Sequence, residues 1–270
     1  MQSLNDIDAL IIDMDGVLWH GDRPQEGIDV FFAGLRRLAL PFVLATNNAS
    51  LTPAEYVSKL AGFGVSVAER EILTSGTATA VYLSQQVVPE QTRVFVIGSS
   101  GLIEPLQQQG FILTELYAPE VDLVVCGLDR QLSWDKLASA CYALQAGARL
   151  IASNGDTSLP TERGFAPGNG AVLAAITAAT GVQPLIIGKP EPILYQQAMQ
   201  LLGSSKERTV ALGDRLDTDI LGAVNAGIRS MLLLSGISRR EELAHFPYQP
   251  TWIYDDILAV HAAMESVRRT

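Results

Sequence analysis

Two aspartates separated by one residue are the side chains in this sequence best suited to chemistry. Asp13 and Asp15 directly follow the apolar segment 7–12, and Gly16 comes next. Carboxylates that close together are costly unless a cation or a shared proton lies between them, and a hard divalent metal such as Mg²⁺ is the natural partner. The same residues also fit a plain strand end closed by an Asx turn, with Gly16 at positive φ.

Three further apolar segments end in polar side chains, namely Thr46 with Asn47, then Lys189, and then Asp214. The carboxyl ends of parallel strands converge, so these groups can face one pocket together with Asp13. Carboxylates bind Mg²⁺, a lysine offsets negative charge, and a threonine beside helix-start amides can hold phosphate oxygens. A carboxylate in line with phosphorus can attack it, and a second one can protonate the leaving oxygen. Taken singly, Lys189 also fits a solvated lysine and Asp214 a helix cap, whereas the four strand ends together favour one site.

The order of apolar segments predicts an α/β protein with a doubly wound parallel sheet and an inserted second α/β unit. Strands are predicted at residues 7–12, 42–45, 72–75, 209–212 and 231–234, with helices between them. The alternation restarts with strands at 93–97, 122–126 and 150–153. We therefore expect 1–78 and 179–270 to form the core, whose sheet resumes at 184–189, and 79–178 to form the insert. The loop 154–168 has no regular pattern, and loops of that length in compact domains are usually functional.

Composition limits the classes of partner that this chain of 270 residues is expected to bind. Its formal net charge is −10, which argues against nucleic acid and anionic membranes as partners, because both bind basic surfaces. A small anionic substrate is still allowed where a metal and local cations reverse the field. No segment approaches the roughly 18 consecutive apolar residues of a membrane span, and the first residues lack a signal-peptide pattern. We therefore expect a cytoplasmic protein.

The sequence is similar to the haloacid dehalogenase superfamily, and within it to the type IIA branch of NagD-like and 4-nitrophenylphosphatase-like hydrolases. The resemblance rests on four core motifs in order, IIDMDGVLW, FVLATNNAS, IIGKPEP and VALGDRLDTDI. In the insert it rests on VVCGLDR, IASNGDTSLPTERGF and APGNGAV. It covers essentially the whole chain and implies a Rossmann-like catalytic core with an inserted C2-type cap that governs substrate specificity.

The resemblance also implies a Mg²⁺-dependent phosphatase that works through an aspartyl-phosphate. Asp13 would be the nucleophile and Asp15 the general acid and then the base, while Lys189 would steady both nucleophile and phosphate. Mg²⁺ would be held by Asp13, the backbone carbonyl of Asp15 and Asp214, with Asp219 orienting these ligands from outside.

Two groups of binding residues follow from the same resemblance. Thr46, Asn47 and Asn48 would bind the phosphate group. The cap loop would bring three side chains near the rest of the substrate: Asn154, Asp156 and Arg163. The implied partner is a small phosphorylated metabolite, and the family likeness suggests a homodimer.

Two other functions use the same residues. A phosphotransferase or mutase would pass the phosphoryl group from Asp13 to a second substrate rather than to water. A receiver-like regulatory protein also combines an acidic pocket, a lysine and a phosphorylated aspartate, but it needs neither Asp15 nor an inserted domain of this size. Dehalogenase chemistry is disfavoured, because displacement at carbon requires neither Asp15 nor a metal.

Overall fold

A computed structural model describes residues 4–161 and 163–268 of the chain. The chain forms two compact units. The first unit comprises Met1–Thr46, Pro53–Leu73 and Lys189–Thr270, and the second comprises Asn47–Thr52 and Thr74–Gly188. In the part of the chain that the structure describes, no helix has the length and apolar character needed to cross a membrane.

The strands, in chain order, are β1 (Ala9–Ile12), β2 (Trp19–His20), β3 (Arg23–Pro24), β4 (Phe42–Thr46), β5 (Ile72–Thr74), β6 (Arg93–Ile97), β7 (Ile112–Thr114), β8 (Leu123–Cys126), β9 (Arg149–Ala152), β10 (Ser158–Thr161), β11 (Gly164–Pro167), β12 (Leu185–Ile186), β13 (Thr209–Gly213), β14 (Arg229–Leu233) and β15 (Trp252–Tyr254). The α-helices are α1 (Ile28–Arg37), α2 (Pro53–Gly62), α3 (Ser75–Ser84), α4 (Ser100–Gln108), α5 (Trp134–Gln145), α6 (Asn169–Thr180), α7 (Pro192–Leu202), α8 (Leu221–Ala226) and α9 (Ile257–Arg268).

The sheet of the first unit has the strand order β15-β14-β13-β1-β4-β5. The chain builds outward from β1 in one direction through β4 and β5, and later in the other direction through β13, β14 and β15. Strand β1 pairs in parallel with both β4 and β13, and all its residues are buried, as the continuous apolar run predicts. The predicted doubly wound α/β class is therefore confirmed, and the order reverses between β1 and β13. Ligand crevices in such sheets lie at this reversal.

The second unit has its own parallel sheet, in the order β12-β9-β8-β6-β7. Its core is made by apolar side chains of the central strands and of helices α5 and α6, including Phe95, Val124, Leu144, Leu150 and Ile176. The prediction of strands near 93–97, 122–126 and 150–153 is confirmed.

Two sequence predictions about this unit are wrong. The segment 184–189 does not continue the first sheet, because β12 pairs with β9 of the second sheet. The loop 154–168 is not patternless, because it contains the antiparallel hairpin of β10 and β11. The second unit consists of Asn47–Thr52 and Thr74–Gly188, so it extends beyond both ends of the expected insert 79–178.

An ion pair in the first unit ties α1 to the turn that precedes β5. The Arg36 guanidinium donates to both carboxylate oxygens of Glu71 over 2.5 and 2.7 Å, and Glu71 Oε2 also accepts the backbone N–H of Ala68. The hydrogen bond from Arg36 is the main cause that lowers the pKa of Glu71. The ionised form of Glu71 is therefore the form that the fold stabilises.

We expect Glu71→Gln to lower the free energy of unfolding by about 1 kcal/mol at neutral pH, because it removes one partner of a bidentate pair near the surface. A carboxyl with a lowered pKa stabilises the fold fully above its ordinary pKa of 4.5. That stabilisation is lost as the pH falls through the lowered value. Urea unfolding at neutral and acid pH measures the difference, with Glu69→Gln in the same turn as the control. A difference between wild type and Glu71→Gln that is independent of pH would contradict this expectation.

Candidate active site

Asp13 lies one residue beyond the carboxyl end of β1, at the reversal of the strand order. Its backbone N–H donates to the carbonyl of Leu212, which extends the ladder between β1 and β13 to Asp13 itself. Thr46 ends β4 on one side of β1, and Asp214 follows β13 on the other side. The predicted convergence of these three positions at one edge of the sheet is therefore found in the structure.

Lys189 donates hydrogen bonds to two of the carboxylates that lie near the carboxyl ends of these strands. Its Nζ lies 2.5 Å from Asp13 Oδ1 and 2.6 Å from Asp219 Oδ1, and it also donates to the carbonyl of Ala45 over 3.1 Å. Burial acts to lower the pKa of Lys189, but the charges of Asp13 and Asp219 outweigh it, and the pKa is raised well above its usual value. Lys189 therefore stays positively charged beside Asp13 and Asp219.

The carboxyl group of Asp13 is buried beside other carboxylates. Burial raises its pKa well above the usual value, Lys189 opposes the shift, and Asp219 and Asp214 add to it. One ammonium group thus faces three carboxylates, which is too little positive charge to keep all three ionised in a buried place. This imbalance favours binding of a further cation.

One carboxylate oxygen of Asp214 has no hydrogen-bond partner among the residues that the structure describes. Asp214 is fully buried, its Oδ2 accepts the backbone N–H of Ile237 over 2.8 Å, and its Oδ1 accepts no hydrogen bond from any residue within 4–161 or 163–268. Burial, with a further contribution from Asp219, raises the pKa of Asp214 to about 7. Gly16 is required beside it, because its φ is +86° and an added Cβ would lie 2.3 Å from Asp214 Oδ2. The predicted positive φ of Gly16 is thus confirmed.

Asp219 lies in the π-helical turn Leu216–Ile220 that follows β13. Both of its carboxylate oxygens are occupied, since Oδ1 binds Lys189 and Oδ2 accepts the backbone N–H of Arg215 over 3.1 Å. Because both oxygens of Asp219 accept hydrogen bonds, this carboxylate holds the Lys189 side chain and the Arg215 backbone in place.

These residues fit a divalent cation. One oxygen atom each from Asp13, Asp214 and Asp219 lies within 4.8 Å of the others. Carboxylate oxygens are the ligands that Mg²⁺ and Ca²⁺ prefer, and Oδ1 of Asp214, which accepts no hydrogen bond from the described part of the chain, offers lone pairs to such an ion.

Asp15 is separate from the buried cluster. Its side chain is exposed, and its Oδ1 accepts a hydrogen bond from Nε1 of Trp19 over 2.8 Å. Sequence reasoning did not single out Trp19, because the spacing of four residues does not fix the direction of either side chain. The indole ring is fully buried.

The second unit gathers a different set of the predicted residues. Asn47 Nδ2 donates to Asp156 Oδ2 over 3.2 Å, and Asn154 Nδ2 donates to the carbonyl of Asn47 over 2.8 Å. Asn154 is in turn fixed through its own carbonyl by Asn169, whose Nδ2 donates to it over 2.7 Å. Asn47 therefore meets two candidates that lie 107 and 109 positions further along the chain, and Asn169 is a supporting residue that the sequence reasoning missed.

The other two candidates of this unit have different surroundings. Asn48 Oδ1 accepts from both the backbone N–H and the hydroxyl of Ser50, which closes a local turn. Arg163 is exposed in the turn between β10 and β11. The phosphate-binding and substrate-binding roles expected for these residues stay predictions.

The fold and the cluster of carboxylates and lysine are those of a hydrolase family. A model described as haloacid dehalogenase-like hydrolase matches residues 10–112, which contain Asp13 and Thr46. A second model, described as HAD-hydrolase-like, matches residues 186–260, which contain Lys189 and Asp214. Together with the relatives below, these matches show that the chain belongs to the haloacid dehalogenase-like hydrolases. The family resemblance of the sequence motifs is confirmed.

Three similar proteins indicate the part of this hydrolase family that the chain resembles. The 5'-nucleotidase YutF of Bacillus subtilis is 36% identical over 92% of this chain and 94% of that protein. The acid sugar phosphatase of Staphylococcus saprophyticus is 36% identical over 95% of this chain and 98% of that protein. The crystal structure of 4-nitrophenylphosphatase from Thermotoga maritima superposes with a TM-score of 0.90 at 33% identity, covering 97% of this chain and 98% of that one. All three match nearly full length, so both units belong to the shared architecture.

Proposed function

We propose that this chain is a Mg²⁺-dependent phosphomonoesterase that hydrolyses small organic phosphates through a phosphorylated Asp13. The observation that carries the proposal is the contact of Lys189 Nζ with Asp13 Oδ1, because it fixes one oxygen of a buried carboxylate and leaves the other as a nucleophile. The named activities of the relatives, which are phosphatases and a nucleotidase, support the same class of enzyme.

The reaction proceeds in two displacements at phosphorus. In the first, Asp13 Oδ2 forms a bond to phosphorus, the bond to the leaving oxygen breaks, and Asp15 gives that oxygen a proton. In the second, Asp15 takes a proton from water, the water oxygen bonds to phosphorus, and Asp13 leaves as a carboxylate. Lys189 keeps Asp13 in one orientation throughout and offsets the negative charge near the phosphoryl group.

Mg²⁺ is the metal that we propose for the carboxylate cluster. Asp13 and Asp214 would hold it together with the backbone carbonyl of Asp15, and Asp219 would keep Lys189 and the Arg215 backbone in place beside it. When bound, the ion supplies positive charge that offsets the charge of the three carboxylates and of a phosphate group. Thr46, Asn47 and Asn48 are the proposed phosphate ligands.

A phosphate-release screen with water as the only acceptor tests the proposed class. We expect release of inorganic phosphate from several monoesters, including nucleoside monophosphates, sugar phosphates and 4-nitrophenyl phosphate, since relatives are named for each kind. Phosphate release that needs a second organic acceptor would instead indicate a phosphotransferase. Phosphorylation of the chain without turnover would indicate a regulatory protein.

Asp15→Asn is expected to discriminate between substrates by their leaving groups. General acid catalysis contributes about 10²- to 10⁴-fold, and it matters least where the leaving oxygen is weakly basic. The value of kcat/KM should therefore fall by that amount for an alkyl phosphate and by about tenfold or less for 4-nitrophenyl phosphate. Because kcat/KM covers only the steps up to the first displacement, the later role of Asp15 as a base does not enter. Equal losses on both substrates would contradict the assigned role.

Asn154, Asp156 and Arg163 of the second unit are the residues that we propose to recognise the organic part of the substrate. Every candidate of the first unit is already assigned to metal, phosphate or proton transfer, so the selection must lie elsewhere. Asp156 offers a carboxylate and Arg163 a guanidinium, which can recognise hydroxyl groups or charge.

We expect Asp156→Ala and Arg163→Ala to change relative kcat/KM among natural monoesters by about tenfold or more, since a buried polar contact contributes on the order of 1 to 3 kcal/mol. Activity on 4-nitrophenyl phosphate should change much less. Asp129→Ala is the matched control, because Asp129 is a carboxylate of the same unit paired with Lys136. Variants that keep the parent's ranking of substrates would place the selection elsewhere.

A further inference from the structure

The carboxyl group of Asp15 is held by a residue that the proposed mechanism does not use. Nε1 of Trp19 donates to Asp15 Oδ1, and the backbone N–H of Gly16 donates to the carbonyl of Trp19, each over 2.8 Å. A side-chain and a backbone hydrogen bond therefore close the same short turn. Asp15 is exposed at this turn, whereas Trp19 has no accessible surface.

Helix α2 and the residue just beyond it fix the orientation of the indole ring. Tyr56 stacks on it with ring centroids 6.2 Å apart, Phe63 packs at 5.9 Å, and Lys59 Nζ lies 4.6 Å from the ring centroid. Tyr56 and Lys59 are three positions apart and so share one face of α2, and Phe63 contacts the ring from the turn that follows the helix. Lys59 is itself anchored by donating to the carbonyl of Gly21 over 3.0 Å. The indole N–H therefore points in one direction.

The chemistry of this contact selects one oxygen of the carboxyl group. An indole N–H donates and never accepts, so Oδ1 of Asp15 must be an acceptor whether the group is ionised or neutral. In a neutral carboxyl group the carbonyl oxygen is a better acceptor than the hydroxyl oxygen, so this contact favours Oδ1 as the carbonyl oxygen and Oδ2 as the oxygen that carries the proton.

We propose that Trp19 is a positioning residue that holds Asp15 so that Oδ2 is the oxygen that delivers the proton. This inference rests on the proposed role of Asp15 as general acid. When the bond between phosphorus and the leaving oxygen breaks, its electron pair stays on that oxygen, which takes the proton from Oδ2. Oδ1 keeps the same hydrogen bond before and after the transfer, so the carboxylate does not reorient between the two displacements.

Trp19→Phe tests the inference, because it removes the N–H donor and keeps an aromatic ring in the cluster. We expect kcat/KM for 4-nitrophenyl phosphate to stay within about threefold of wild type and kcat/KM for an alkyl phosphate to fall about tenfold or more, since acid assistance matters most for basic leaving groups. Phe63→Leu is the matched control, because it loosens the packing on the same indole and leaves the N–H in place. Equal losses of Trp19→Phe on both substrates, like those of a packing defect, would overturn the inference.

The double variant separates positioning from general damage. Because Trp19 acts through Asp15, adding Trp19→Phe to Asp15→Asn should change kcat/KM for the alkyl phosphate by less than about twofold. A further loss as large as that seen in the wild-type background would mean that Trp19 acts independently, and it would overturn the inference.

The hydrogen bond can also be observed without turnover. Trp19→Phe identifies the indole N–H signal of Trp19 in a ¹H–¹⁵N spectrum, and Asp15→Asn should shift that signal while those of Trp134 and Trp252 stay in place. An unshifted Trp19 signal would overturn the inference. If wild type releases no phosphate from any monoester, the proposed function fails and this inference fails with it. If Asp15→Asn is selective for leaving groups and Trp19→Phe is not, only the inference about Trp19 fails.

Discussion

Asp13→Asn is expected to lower kcat/KM by at least about 10⁴-fold for every phosphate monoester that the chain hydrolyses, because it removes the nucleophile. An amide group has almost the shape of a carboxylate, but its oxygen is a poor nucleophile and cannot form the acyl phosphate that Asp13 forms. Unlike Asp15→Asn, this variant should lose aryl and alkyl substrates equally. Residual activity within about tenfold of wild type would mean that Asp13 is not the nucleophile.

The same variant should keep the fold, which makes its loss of activity interpretable. Lys189 retains Asp219 and the carbonyl of Ala45 when Asp13 is neutral. The substitution also removes one of three carboxylates that repel one another. Burial of the Asp13 carboxyl group, together with the charges of Asp219 and Asp214, raises its pKa well above the usual value. We expect a thermal midpoint close to that of wild type. Asp8→Asn is the matched control, since Asp8 precedes the other end of β1 and pairs with the exposed Arg208.

Chelation of divalent cations is expected to abolish turnover, and added Mg²⁺ to restore it. Asp13, Asp214 and Asp219 bring three carboxyl groups to one buried place, and Lys189 alone cannot offset the charge of all three in their ionised form. Ca²⁺ should bind but support poor catalysis, because its larger and looser coordination misplaces the nucleophile. Full activity in excess chelator would contradict the metal requirement.

Metal binding should also be visible without substrate. A ligand at about 100 times its Kd raises the free energy of unfolding by about 2.7 kcal/mol, so Mg²⁺ should raise the thermal midpoint of wild type. Asp214→Asn should lose most of this increase, because it replaces the carboxylate whose Oδ1 lacks a partner among the described residues. An equal increase in both proteins would place the bound ion outside the cluster.

Local sequence signals predicted the first unit well. The apolar run before Asp13 could be predicted as a strand, because strands of a parallel sheet that is covered on both faces are continuously apolar. Gly16 has the predicted positive φ, and the structure adds a second reason, the closeness of Asp214 Oδ2. The convergence of strand ends followed from parallel topology alone, since β1 lies between β4 and β13.

The predictions that were wrong or missing concern strands and side chains whose partners cannot be inferred from the residues around them. Leu185–Ile186 is a two-residue strand, and a short apolar run does not indicate which of two parallel sheets it joins. The hairpin Ser158–Thr161 with Gly164–Pro167 lacks a polar and apolar alternation and contains two prolines, which usually argue against strands. The contacts of Asn47 with Asp156 and of Trp19 with Asp15 depend on side-chain directions that no local pattern encodes.

Chemical trapping of the phosphorylated enzyme tests the central claim most directly. Wild type and Asp15→Asn would be mixed with excess 4-nitrophenyl phosphate and Mg²⁺, quenched in acid during turnover and reduced with borohydride, which converts an aspartyl-phosphate to homoserine. Peptide mass spectrometry then locates the modified residue. We predict homoserine at position 13, more of it in Asp15→Asn because the second displacement is slowed, and none in Asp13→Asn or without substrate. An enzyme that releases phosphate while position 13 stays unmodified in both proteins, or that carries the modification at another aspartate, would contradict the account.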